Sequence, residues 1–169
     1  MKIIFERPAL PLFKSRPRWY NTHNRNFADK EAFPMKKSVL RSYARLIART
    51  GVNIQKGQEV FIAADLDQPE FVAMLVDECY KCKAKKVVVD WNYQPLQKLH
   101  VRHRSLTTLS RVEDYELARW QHYVDTIPCR IYLLSEDPDG LKGIDQEKLA
   151  KSQQAKFPVI KPYRDQIEN

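Results

Sequence analysis

Cys79-Tyr80-Lys81-Cys82 has the Cys-x-x-Cys spacing used by redox dithiols and by halves of zinc sites. A reactive dithiol sits at a helix N-terminus, where the helix dipole stabilises a thiolate; this pair falls at the end of a helical pattern, where the dipole opposes one. No second pair completes a zinc site and Cys129 stands alone downstream, so core-facing thiols are expected. His100 and His103 would share a helical face, as a metal site requires, yet Arg102 and Arg104 repel a cation and no carboxylate lies at ligand spacing. A solvated basic face is expected there. His23 and His122 have no partner nearby in the sequence. The acidic groups Asp65 and Asp67, Asp90, and Glu136, Asp137 and Asp139 fall at the C-terminal ends of predicted strands, the edge along which open α/β sheets bind ligands. Converging carboxylates would hold Mg²⁺ or a similar hard cation, but Asp also forms turns and caps helices. No glycine-rich phosphate cradle accompanies them in a chain with 4 glycines, which favours the structural reading. Trp19-Tyr20 beside Arg16, Arg18 and Arg25 has the aromatic-plus-basic composition of a single-strand binder. Without an RNA-binding sheet motif or a recognition helix, nucleic-acid binding is not expected.

The elements that would carry these groups follow from hydrophobic periodicity. Val39, Leu40, Tyr43, Ala44, Ile47 and Ala48 form a helical stripe, with Gly51 as its stop. Glu59 to Ala64 is a short apolar run of β type ended by Asp65, and Lys86 to Trp91 is a β-branched run without alternation, the pattern of a buried parallel strand. Between them, Pro69 suits a first helical position, and Phe71, Val72, Leu75, Val76, Cys79 and Tyr80 make one helical face. Strand, helix, strand at this spacing predicts a βαβ unit with parallel strands. Pro95 to Arg104 and Val112 to Val124 read as helices, Cys129 to Ser135 as a third strand, and a last helix starts near Asp145 and is interrupted at Pro158 and Pro162. The predicted fold class is therefore α/β: a three-layer domain with a mainly parallel central sheet flanked by helices.

Composition bounds what such a domain does. At 169 residues and 43% hydrophobic the chain fits one ordinary domain with one core. Its formal charge of +8 would suit an anionic partner, but much of the excess lies in residues 1–34, a basic stretch punctuated by Pro8, Pro11, Pro17 and Pro34. That stretch reads as an irregular arm, either upstream sequence before a true start at Met35 or a real tail; residues 35–169 form the folded unit. No apolar run is long enough to span a bilayer, and Glu6-Arg7-Pro8 interrupts the N-terminus before a signal-peptide core forms. The 3 cysteines cannot all pair within one chain, which agrees with a reducing compartment, and a cytoplasmic protein with no membrane contact is expected.

The order of motifs resembles a family. Tyr43-Ala44-Arg45-Leu46-Ile47 followed by Gly51-Val52-Asn53-Ile54-Gln55-Lys56-Gly57-Gln58-Glu59-Val60 is similar to the opening of the aminopeptidase T and aminopeptidase S family of bacterial metallopeptidases. Glu78, Tyr80, Ala84 and Val87 to Trp91 resemble its helix and second strand, and Ser135 to Pro138 with Leu141, Gly143, Ile144 and Asp145 its third strand and exit turn. Lys83 departs from the pattern, which usually has glycine there; the turn then needs a left-handed or bulged residue at some cost. The resemblance implies the N-terminal α/β domain of a dimeric, peptide-cleaving enzyme whose two divalent metal ions (zinc, cobalt or similar) lie in a separate C-terminal domain that this chain does not reach. It therefore implies no catalytic, cofactor-binding or metal-binding residue here, no cofactor in this chain, and no hydrolysis by the chain alone. It also implies loops that wall the substrate chamber and an apolar interface normally covered by the other domain or a dimer partner. The alternatives are a stand-alone flavodoxin-like binding module using the acidic strand-end loops, or a basic nucleic-acid-binding domain.

Overall fold

The apolar runs at Glu59–Asp65 and Cys129–Leu134 lie at the centre of the sheet because they can bury both faces of a pleated strand. The computed structural model describes residues 2–6, 35–135 and 137–168. Strand β2 (Glu59–Asp65) pairs in parallel with β3 (Lys86–Asn92) on one side and β4 (Cys129–Leu134) on the other. On the far side of β4, β1 (Lys2–Glu6) adds antiparallel, giving the order β1-β4-β2-β3. This α/β architecture, a parallel three-stranded sheet flanked by helices, is the predicted one.

Alternation along the strands divides the core in two. Val60, Ile62 and Ala64 of β2 with Cys129, Ile131 and Leu133 of β4 point to one face, where helix α1 (Lys37–Leu46) and helix α2 (Pro69–Lys81) add Ala44, Phe71, Val72, Leu75 and Cys79. The opposite face is thinner. There Phe61 meets Tyr123 of helix α5 (Asp114–Thr126) and Ile167 of helix α6 (Gln146–Glu168), with Ala63, Val88, Trp120 and Val124 packed around them. Helix α3 (Gln94–His103) leaves the end of β3, and the short α4 (Leu106–Ser110), capped by the Ser105 side chain, lies against α6.

Several expectations need correction. Lys2–Glu6 is a strand rather than part of an irregular arm, because its backbone completes the ladder on the open edge of β4; residues 7–34, with Trp19, Tyr20, His23 and their arginines, lie outside the described residues. The run from Lys86 is half-buried, not fully buried, since β3 pairs only with β2 among the described residues and so forms an edge. Helix α6 runs through Pro158 and Pro162. Each proline lacks the donor to the carbonyl four residues back, and its ring crowds that carbonyl. Both are solvent-exposed, so water can serve the released carbonyls of Gln154 and Pro158. Gly51 is not the turning residue after α1. The helix widens into a π turn over Ile47–Gly51, closed by Val52 N–H donating to the Ile47 carbonyl at 2.9 Å, and the left-handed residue is Asn53 (φ 48°).

Lys83 does adopt the left-handed conformation (φ 66°) that its departure from the glycine pattern implied. It is the turning residue of a Schellman motif. Its N–H donates to the Tyr80 carbonyl at 2.8 Å, and the following Ala84 N–H donates to Cys79 at 3.2 Å. Ala84 and Cys79 both pack in the larger core, the apolar contact such motifs use. The Lys83 carbonyl accepts from Gly57 N–H at 2.9 Å, which ties this turn to the one that launches β2.

Candidate functional site

Parallel pairing brings the C-terminal ends of β2, β3 and β4 to one edge, and three of the acidic residues singled out in the sequence, Asp65, Asp67 and Asp137, meet there. An open cleft of about 400 Å³ at this edge is lined by Asp65, Asp67, Asn92, Gln94, Ser135 and Asp137, with Leu66, Tyr93 and Pro95. Each carboxylate in it is already bonded. Asp65 Oδ2 accepts from the Ser135 N–H at 2.7 Å and from its hydroxyl at 3.3 Å, while Asp65 Oδ1 accepts from Asn92 Nδ2 at 2.9 Å. Asp67 Oδ1 takes the same Ser135 hydroxyl at 2.6 Å. Asp65 thus clasps β4 and β3 to its own strand. Asp137 caps its own turn, its Oδ1 accepting from Asp139 N–H at 3.0 Å, and its carbonyl accepts from Gln94 Nε2 at 2.9 Å.

The other sequence candidates are scattered. Asp90 faces the thinner side of the sheet and pairs with Arg119 of α5. Glu136 lies outside the described residues. His100 and His103 are exposed on α3. Cys79 and Cys129 are buried in the core and Cys82 is half-buried; burial pushes the Cys79 thiol up to about 12, the opposite of a reactive thiolate. Among the described residues, no three His, Cys, Asp or Glu side chains gather as a metal site needs.

Some pairings were not visible in the sequence. His122 has a partner after all: its Nε2 lies 2.9 Å from Glu59 Oε2, across 63 positions, and that bond holds the Glu59 carboxyl below the usual carboxylate range. Glu78, nearly inaccessible within α2, accepts from Lys81 Nζ at 2.9 Å and Arg45 Nε at 3.4 Å; Lys81 first, then Arg45, hold it ionised to lower pH than usual. Its helical position beside a stripe of apolar residues hid it, since only the fold brings Arg45 of α1 over it.

A parallel sheet clothed on both faces by helices, with a polar edge at its strand ends, defines the class as an open α/β domain. Residues 36–169 match the model of the thermophilic metalloprotease family M29, and the chain belongs to that family. Aminopeptidase AmpS of Bacillus subtilis (strain 168) is 32% identical over 130 residues, covering 77% of this chain and 32% of that protein. Aminopeptidase PepS of Streptococcus thermophilus is 29% identical over 129 residues, covering 76% of this chain and 31% of that protein. Wild-type AmpT from Thermus thermophilus is similar in structure, with a TM-score of 0.68 at 25% identity over 78% of this chain and 33% of that one. The chain thus spans about a third of the length of the relatives it matches. No helix among the described residues is long and apolar enough to cross a membrane.

Proposed function

We propose that this chain is the non-catalytic N-terminal portion of a metal-dependent aminopeptidase that releases N-terminal amino acids from peptides, and that alone it does not hydrolyse them. Membership of a metalloprotease family implies metal, and the observation that carries the reading is how this chain's best-placed donors are used. Asp65 and Asp67 are bonded to Ser135 and Asn92, and Asp90 to Arg119. Carboxylates that hold strands and helices together do not fit a metal pair, which needs several unengaged oxygen or nitrogen donors converging on one point. No step of hydrolysis is routed through them.

In this reading the strand-end loops wall the substrate chamber of a longer cytoplasmic enzyme, a homodimer, whose metal ligands lie elsewhere. The purified chain is assayed on leucine and arginine amide reporters with Zn²⁺, Co²⁺ or Mn²⁺ added, alongside its metal content. No turnover above a mock purification is expected. Metal-dependent turnover that is absent from the mock preparation would end the proposal, and its loss in Asp65→Asn or His100→Ala would place the catalytic site at the strand-end loops or on α3.

A further inference from the structure

An unpaired strand edge is a template for another strand. Among the described residues β3 is the outermost strand on its side of the sheet, bonded to β2 and to no strand beyond it. Successive residues of a strand turn their N–H and C=O groups to opposite sides. Asn92 faces β2, its carbonyl accepting from Leu66 N–H at 2.9 Å, so Val87, Val89 and Trp91 direct theirs outward. Val87 N–H donates to the hydroxyl of Tyr80, an exposed side chain, over a long 3.3 Å. No described residue bonds the outward groups of Val89 and Trp91. Val87 to Val89 are β-branched, which keeps this edge extended.

The edge is complementary to itself. Set antiparallel against a second copy with the two-fold axis at Val88, Val87 and Val89 of one copy face Val89 and Val87 of the other, their outward groups in register as hydrogen-bonded pairs. Val88 faces Val88 at the closer, non-hydrogen-bonded spacing, and on that same face of the sheet Lys86 meets Asp90 of the second copy. Asp90 has room for this lysine: Arg119 holds its Oδ2, and its Oδ1 has no bond among the described residues. Lys86 is exposed, and its charge reaches Glu59 through space alone. Moving the axis to Val89 or to Val87 sets Val88 against Asp90 or against Lys86, so charge selects the register.

We propose that the free edge of β3 is an interface with a second copy of this chain, the two strands pairing antiparallel about Val88 and continuing the sheet from one copy into the other. The pairing would supply a contact for the homodimer proposed above but needs nothing outside this chain, so oligomer measurements decide it and turnover does not. Edge pairing alone makes a small, weak interface, so sedimentation of the full chain is followed as concentration rises through roughly 10–500 µM. A monomer–dimer equilibrium is expected. Lys86→Asp sets carboxylate against carboxylate and should weaken the dimer at least about tenfold, as should Asp90→Lys with ammonium against ammonium. An equimolar mixture of the two folded variants should recover it, because one carries carboxylates at both positions and the other ammonium groups at both. Register is read by oxidative cross-linking of Val87→Cys, Val88→Cys and Val89→Cys against the parent. Only Val88→Cys should cross-link, since the axis pair stands about 4.5 Å apart between Cα atoms, inside the disulfide range of about 4.4–6.8 Å. A monomer throughout with no cross-link at Val88 would leave this edge to a different partner and overturn the assignment. So would a dimer unmoved by Lys86→Asp, no recovery in the mixture, or cross-linking at Val87 or Val89 in place of Val88.

Discussion

Replacing Lys83 by glycine should stabilise the protein, and the structure says by how much. Lys83 is held at φ 66° by backbone bonds alone: its N–H to Tyr80, its carbonyl from Gly57, and the Ala84 N–H to Cys79. None of these needs a side chain, and the lysine is exposed. For a residue with a Cβ the left-handed region costs roughly 1–2 kcal/mol. Glycine removes that cost but adds about 0.5–1 kcal/mol of backbone entropy to be lost on folding. The net gain is about 0.5–1 kcal/mol, a rise in melting temperature of roughly 1–4 °C for a chain of this size. Urea unfolding of Lys83→Gly beside Lys83→Ala checks it: the midpoint should rise for glycine only, with an unchanged slope. An equal rise in the alanine variant would show that the lysine side chain, not the backbone, is the liability. No rise in either would refute the strain argument.

Other consequences can be measured alongside. Asp65→Ala removes the clasp on Ser135 and Asn92 and should cost about 1.5–3 kcal/mol, read as a lower urea midpoint. Glu78 has a folded-state pKa held below its unfolded value, so its contribution is present above the unfolded carboxylate range and is lost as pH falls through the folded value. The stability advantage of the parent over Glu78→Gln should therefore be largest near neutral pH and vanish in acid; an advantage that persists below the carboxylate range would show that shape, not charge, matters there. In the folded protein, Cys82 should be alkylated before Cys79 and Cys129, and all three should react together in urea, as peptide mass spectrometry can follow.

How far the sequence could be read depended on whether the deciding interaction was local. The stripes of α1 and α2, the apolar runs of β2 and β4 and the turn at Lys83 are set by neighbours within a few positions, and each lies where periodicity or a missing glycine puts it. The acidic strand ends were found for the same reason. Their bonds were not, because the Ser135 to Asp65 contact spans 70 positions and exists only once β2 and β4 pair. The half-burial of β3 escaped notice because β-branched residues look alike in edge and central strands; strand order decides which. Continuity of α6 is not legible locally because proline's penalty depends on exposure, and Pro158 and Pro162 face solvent only in the fold. His122 carries no local pattern, because its partner Glu59 lies 63 positions away.

The unequal filling of the two faces gives the molecule a hard side and a soft one. Among the described residues, fifteen buried side chains lock α1, the π turn and α2 to the sheet, whereas three hold α5 and α6. Opening free energies scale with buried apolar contact, so amides of α6 should exchange with deuterium through excursions that leave β2 and α2 protected. Such a layer can lift, tilt or repack at modest cost while the sheet stays fixed. A surface that docked on the α5 and α6 side could therefore adjust that layer without disturbing the strand-end edge.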